Sequence, residues 1–360
     1  VIGARPSIPD PAGGAPTLSV LDLSPVGEGS SPAEALRGSI DLARRTDALG
    51  FHRYWVAEHH NMPGIASSSP AVLLAHAASA TTSIRVGSGG VMLPNHASLT
   101  VAEQFGMLEA LHPGRVDLGI GRAPGTDPLT ARALRRSRSL AADDFPEQLV
   151  ELLGWFDGDL PTGHPYESVT AVPALGYRPA IWLLGSSDYS AHAAGTLGLP
   201  FSFAHHFASQ GTLQAVRTYR EAFRPSAHLE RPYVMLGVSV ICAPDAERAQ
   251  WLAGSSRLSF ARLRSGRPGR LPTPEEAAEH DWTPFERELV RSWTASSVVG
   301  DPDRVRADLL ELAARAGADE LMITTMVHAH ADRLASYELV AESFGLAGTA
   351  GRATAPATLR

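Results

Sequence analysis

Strand-like and helix-like segments alternate along almost the whole chain, which restricts the fold to mainly parallel strands covered by helices. Apolar runs over residues 17–24, 53–57, 84–89, 115–120, 180–184, 200–204, 233–242 and 320–325 read as eight strands. The first helix has a clear start: Ser31-Pro32-Ala33-Glu34 is a capping box with proline at the first helical position. Leu36, Ile40, Ala43 and Leu49 then recur at helical spacing up to Gly50. Asp301-Pro302 opens another helix by the same logic, ending at Gly317. Further helices are expected over about 69–80, 100–111, 143–156, 209–223, from 244 to at least 254, and 332–344.

Eight such pairs fit one (β/α)8 barrel, a TIM barrel, over residues 17–346; a doubly wound open sheet is the competing architecture. Residues 1–16 read as a loose polar arm without the apolar segment of a signal peptide, and 347–360 as a tail. Two stretches, 158–178 and an insertion of about 257–295, carry no motif we can interpret and are expected to be long loops, acting as lids or binding loops or disordered.

Composition removes several function classes. The net charge of −7 argues against a nucleic-acid surface. No apolar run approaches the roughly 20 residues that span a bilayer. Cys242 is the single cysteine, which excludes an intrachain disulfide and fits a reducing cytoplasm. All 31 basic residues are arginine. Schiff-base aldolases, pyridoxal-phosphate enzymes and P-loop proteins all need a lysine and fall away. The Ala/Arg/Gly/Pro-rich composition points to a GC-rich genome.

Three strand ends carry the chemistry. Tyr54-Trp55-Val56-Ala57 runs into Glu58-His59-His60, and barrel enzymes place catalysis at the carboxyl ends of their strands. The strands leading to Gly89-Gly90 and to Gly119-Ile120-Gly121-Arg122 end in small residues, which let a flat ligand approach the backbone. Together they point to a planar cofactor beside a histidine.

Read in order, these segments resemble the bacterial luciferase-like family of flavin-dependent monooxygenases. The resemblance rests on 54–60, on Gly87-Ser88-Gly89-Gly90-Val91-Met92-Leu93-Pro94-Asn95-His96, and on 111–126. It returns at 182–207 and 300–342. It implies a (β/α)8 barrel that binds reduced FMN, often as a homodimer, reacts it with O2 and oxygenates a small organic substrate. Many members take reduced flavin from a separate reductase. His59 would be the catalytic histidine, with Glu58 and His60 orienting it. Gly89 and Gly90 would be the bulged pair beneath the isoalloxazine, and Arg122 would meet the FMN phosphate beside Gly185 and Ser186. Luciferase itself has an acidic residue where Gly185 stands and a cysteine where Gly121 stands, so light emission from an aldehyde is not implied.

Each site also has a plainer reading. Glu58-His59-His60 lacks the i, i+4 spacing of a zinc helix and is otherwise a hydrogen-bonded strand-end cluster. Gly89-Gly90 is otherwise an ordinary bulge. Gly119 to Gly125 has the wrong spacing for a dinucleotide fingerprint, and Pro124 interrupts it. Gly185 to Ser190 opens a helix whose free N–H groups suit an anion, with Ser186 first and Tyr189 and Ser190 beside it; a plain N-cap is the alternative. Asn95, His205 and His206 are left between substrate contact and structural hydrogen bonding. His328-Ala329-His330 would serve a metal hydrolase only with ligands from other strands, and no metal is expected. Arg135 to Arg138 reads as a solvated face.

The reading is therefore an FMNH2- and O2-dependent monooxygenase. The alternatives are a flavin- or deazaflavin-dependent hydride-transfer oxidoreductase on the same barrel and a flavin-binding protein without activity. The substrate is not legible, and tailoring of a secondary metabolite such as a polyketide is a guess from the genome composition.

Overall fold

The computed structural model describes residues 14–123, 125–135 and 144–348. Eight strands close into a parallel barrel: β1 (Thr17–Asp22), β2 (Arg53–Val56), β3 (Arg85–Met92), β4 (Val116–Gly121), β5 (Ala180–Gly185), β6 (Phe201–Phe203), β7 (Val234–Cys242) and β9 (Glu320–Thr324). Neighbours in sequence pair from β1 to β7, and β9 lies between β7 and β1 to close the ring. The open-sheet alternative is thereby excluded. A ninth strand, β8 (Ser297–Gly300), stands outside the ring and pairs with the upper half of β7, where Ser239 faces Ser297 and Cys242 faces Gly300. The sequence reading did not anticipate β8, because four residues are too few to show a period.

The helices begin and end where local chemistry directs. Helix α1 (Pro32–Leu49) carries the full Ser31–Glu34 capping box and ends on Gly50 at φ 88°, a left-handed conformation that glycine adopts without penalty. Then come α2 (Pro70–Ala80), α3 (Ser98–Leu111), α4 (Pro128–Arg135), α5 (Phe145–Asp157), α6 (Asp188–Thr196), α7 (His205–Ala208) and α8 (Thr212–Ala222).

The insertion corrects the long-loop expectation. Helix α9 (Ala246–Arg264) runs ten residues past Gly254, and α10 (Pro274–Glu279) and α11 (Pro284–Thr294) follow it. Thr273 and Thr283 cap these two through Glu276 N and Glu286 N, each with proline in the first turn. Residues 158–178 do contain only turns and irregular backbone. The last helices are α12 (Pro302–Ala316) and α13 (His330–Phe344). Most of the N-terminal arm, nearly all of the C-terminal tail, Pro124 and residues 136–138 of the arginine cluster lie outside the described residues.

Alternation along each strand separates two cores. Leu18, Val20, Val56, Val86, Leu118 and Ile181 face the helices. Leu21, Trp55, Trp182, Tyr233, Met235 and Met322 fill the barrel interior. Trp182 meets Trp55 edge-on at 5.3 Å and Tyr233 edge-on at 5.6 Å. Beneath this layer, near the amino ends of the strands, lies a buried ionic cluster. Arg53 bonds Asp117 at 2.9 Å and Glu320 at 3.0 Å, while Arg85 bonds Asp117 at 2.6 Å. Tyr233 donates its hydroxyl to Glu320 at 2.9 Å, and Trp55 donates its indole N–H to Asp117 at 3.0 Å. This cluster plugs the floor of the barrel and leaves the opposite, carboxyl-end mouth for chemistry.

Candidate active site

The segment after β2 is organised around one carboxylate. Glu58 is fully buried and accepts hydrogen bonds from His60 Nε2 at 2.9 Å, His96 Nε2 at 2.9 Å, Met92 N at 3.0 Å and Asn95 Nδ2 at 3.2 Å. Burial pushes its pKa up, but the bonds from His96, His60 and the Met92 amide win and hold it below the usual carboxylate range. Glu58 thus ties the end of β2 to the end of β3. Neither Glu58, His60 nor Asn95 lines a cavity in the mouth, so the geometry makes them supports.

His59 faces the opposite way. It lines the mouth, while its Nδ1 is buried without a hydrogen-bond partner. Burial lowers its pKa to about 4, only partly opposed by the Glu58 charge, so the imidazole is neutral near pH 7. A buried ring nitrogen left unpaired costs free energy unless a ligand completes it.

Opposite lies the bulge. The β3–β4 register shifts between Gly89 and Val91, and the Gly89–Gly90 peptide is cis. A Cβ on Gly89 would sit 2.7 Å from Leu21 Cδ1, and one on Gly90 would sit 2.8 Å from the Gly119 carbonyl oxygen. A side chain at Gly90 would displace the β4 backbone and one at Gly89 would push aside the Leu21 side chain, and what remains is bare backbone facing the cavity.

Arg122, just past β4, lines the same cavity with Gly121, Gly185, Ser186 and Ser190. Its guanidinium carbon lies 4.2 Å from the centroid of the Tyr189 ring. Among the described residues no carboxylate pairs with it. Tyr189 does not line the cavity; it braces the arginine instead. Ser187, the N-cap of α6, makes no side-chain cap bond, so its first-turn N–H groups are available to an anion. Gly185 makes room for Ser190, whose Cβ would lie 2.5 Å from an added Cβ.

The two histidines after β6 separate. His206 lines the cavity and donates from Nδ1 to the Gly237 carbonyl at 2.9 Å. His205 is buried and paired with Thr212 Oγ1 at 2.8 Å, away from the mouth. His328 bonds the Glu28 carbonyl and His330 bonds Asp41, and among the described residues no group of three metal-ligating side chains forms. The cavity has a volume of about 1050 Å³ including its open mouth. Its bare floor, its cation at one end and its unsatisfied imidazole at the other fit FMN. Sequence reasoning missed Trp55, Leu184 and Met322 in its wall, since inward strand residues read as ordinary core.

A model of the luciferase-like monooxygenases matches residues 17–320. The chain belongs to that family. It is a flavin-dependent monooxygenase, with FMN as cofactor and O2 as co-substrate. The uncharacterized protein YvbT of Bacillus subtilis (strain 168) is 51% identical over 325 residues, covering 90% of this chain and 96% of its own length. A luciferase-like monooxygenase of Escherichia coli (strain K12) is 48% identical over 322 residues, covering 89% and 95%. The crystal structure of apo-MsnO8 superposes with a TM-score of 0.82 at 40% identity, covering 93% of this chain and all of that one. Among the described residues of this luciferase-like monooxygenase, no helix is long and apolar enough to cross a membrane.

Proposed function

We propose that this luciferase-like monooxygenase takes reduced FMN from a separate flavin reductase in the cytoplasm and adds one oxygen atom to a small or medium organic molecule. Hydroxylation, epoxidation and Baeyer–Villiger insertion all fit the site, and the GC-biased composition favours a secondary metabolite such as a polyketide. The observation that carries the reading is the single cavity joining the Gly89–Gly90 floor, the Arg122 guanidinium and the unpaired His59 Nδ1.

In this reading Arg122 and the start of α6 bind the phosphate, since a guanidinium grips phosphate oxygens with two donors at once. The bare backbone of Gly89 and Gly90 would leave room for the isoalloxazine, and Trp55, Leu184 and Met322 would keep water from it. His59 exchanges a proton at Nδ1, and Glu58 fixes the segment that carries it. Reduced flavin supplies the electrons that activate oxygen.

The test is aerobic incubation with FMN, a flavin reductase, NADH and a panel of aldehydes, ketones and polycyclic aromatics, followed by mass spectrometry. A product heavier by one oxygen atom is expected, and oxygen uptake that no panel member accelerates counts against the proposal. Arg122→Ala should weaken FMN binding by about 10–100-fold, as loss of a charge-assisted phosphate contact does. Unchanged titration of that variant removes the arginine from the phosphate site.

A homodimer is part of the proposal. Val72, Met107 and Leu111 on α2 and α3 are each more than half exposed, an apolar face suited to a second copy. Sedimentation at the monomer mass at micromolar concentration would remove it.

A further inference from the structure

A second cavity, of about 970 Å³ including its mouth, adjoins the first, and the two share Leu23, His59, His206 and Phe207. The upper ends of β7 and β9 contribute Ser239 and Thr324 to its wall. The segment after β2 adds Met62 and Ile65, and the insertion contributes much of the remainder, chiefly Ser259 and Phe260 of α9 and Trp293 of α11. No aspartate, glutamate or arginine lines it. Its two imidazoles are also neutral, because burial lowers His59 to about 4 and lowers His206 as well.

The arginines of the insertion turn elsewhere. Arg257 bonds the Gln250 carbonyl at 3.3 Å and lies 5.9 Å from the Trp293 ring centroid. Arg262 pairs with Glu276 at 2.7 Å, and Arg267 reaches Glu286 at 3.6 Å. What remains is an apolar chamber with four hydroxyl side chains, Ser239, Ser256, Ser259 and Thr324, of which Ser256 already donates to the Met326 carbonyl, and with His206. Because His206 Nδ1 donates to the Gly237 carbonyl, Nε2 of the neutral ring is an acceptor.

We propose that this chamber holds the substrate and selects an uncharged, mainly apolar molecule with one hydrogen-bonding end, and that it rejects carboxylates. The inference rests on the neighbouring cavity being the flavin site, from which His59 and His206 divide this one. Apolar surface gains by leaving water for such walls. A carboxylate that enters without a cation loses its hydration and finds no compensating charge. The hydroxyls and the His206 acceptor satisfy an alcohol or a carbonyl equally well. Specificity then lies in the insertion, since α9 and α11 supply the outer wall.

The experiment uses the full chain without flavin and measures displacement of the neutral dye Nile red by n-octanol and by octanoate at pH 7.5. Octanol should bind at least about ten-fold more tightly than octanoate, as burial of an unpaired charge requires. Ser259→Arg, confirmed as folded by its thermal melt, should narrow that ratio by raising octanoate affinity. Equal binding of the two ligands by the native protein overturns the proposal, as does failure of both to displace the dye. A Ser259→Arg ratio identical to the native one overturns the assignment of the chamber. FMN titration of the same samples separates the two readings: octanol selectivity with no FMN binding sinks the flavin assignment and leaves the selective chamber standing.

Discussion

Replacing His59 by alanine should lower turnover by about 10²–10⁴-fold, the range lost when a positioned proton-transfer group is removed, while FMN affinity stays nearly unchanged. The imidazole is neutral in the resting protein, since burial lowers its pKa to about 4, so at working pH it is available as a base or hydrogen-bond partner rather than as an imidazolium acid. Its buried Nδ1 has no partner. His205, by contrast, is hydrogen-bonded to Thr212 and turned away from the mouth, whereas the unpaired nitrogen of His59 belongs to a ring that lines the cavity. The stability readout follows from the same contrast. Removing an unpaired buried nitrogen relieves a cost of about 1–3 kcal/mol and offsets part of the lost packing, so the His59→Ala melt should fall less than that of His205→Ala. Single-turnover oxidation with pre-reduced FMN separates this effect from flavin supply. An unaltered rate ends the catalytic assignment of His59.

The sequence was most legible where short-range chemistry dictates structure. The Ser31–Glu34 capping box and the Asp301-Pro302 start mark helices whose caps form in the structure. The same signal stands at Thr273-Pro274-Glu275-Glu276 and Thr283-Pro284-Phe285-Glu286, but arginines and prolines around it disguised two short helices as a loop. Burial direction was harder to read. Glu58, His59 and His60 are consecutive, and nothing local says that only the middle one turns into the mouth while its neighbours serve a carboxylate hub. That partition is set by His96, Asn95 and the Met92 amide, which come from another strand end. His205 and His206 divide in the same way, because the short helix α7 turns adjacent residues to different sides. The second chamber was out of reach for a related reason. Its wall joins residues from Leu23 to Met326, and such long-range convergence has no signature in a window of sequence.

Asp117→Asn should destabilise the fold by about 3–5 kcal/mol, the cost of leaving buried charges without their partner. Asp117 has no solvent exposure and accepts bonds from Arg53, from Arg85 and from the Trp55 indole. Together with its two arginines and Glu320 it makes a cluster of zero net charge, which the amide would leave at plus one. An exposed pair gives the contrast: Glu338→Gln on the Arg45–Glu338 bridge, whose side chains are 50% and 39% exposed, should cost under about 1 kcal/mol. Urea unfolding of both variants checks the difference, and a loss for Asp117→Asn as small as that for Glu338→Gln would contradict it. The pH dependence has a definite sign. Burial opposes the Asp117 charge, but Arg53 and Arg85 outweigh it and hold the carboxyl down to about 2, against about 3.9 in the unfolded chain. Its stabilisation is therefore complete above about pH 4 and fades as pH falls toward 2. The consequence reaches the active site through Trp55. Its indole is anchored by Asp117 and fills the space that a Cβ on Gly87 would need, 2.5 Å from Nε1, while its ring lines the cavity proposed for the flavin. Loosening the ionic floor should thus weaken FMN binding before the barrel unfolds.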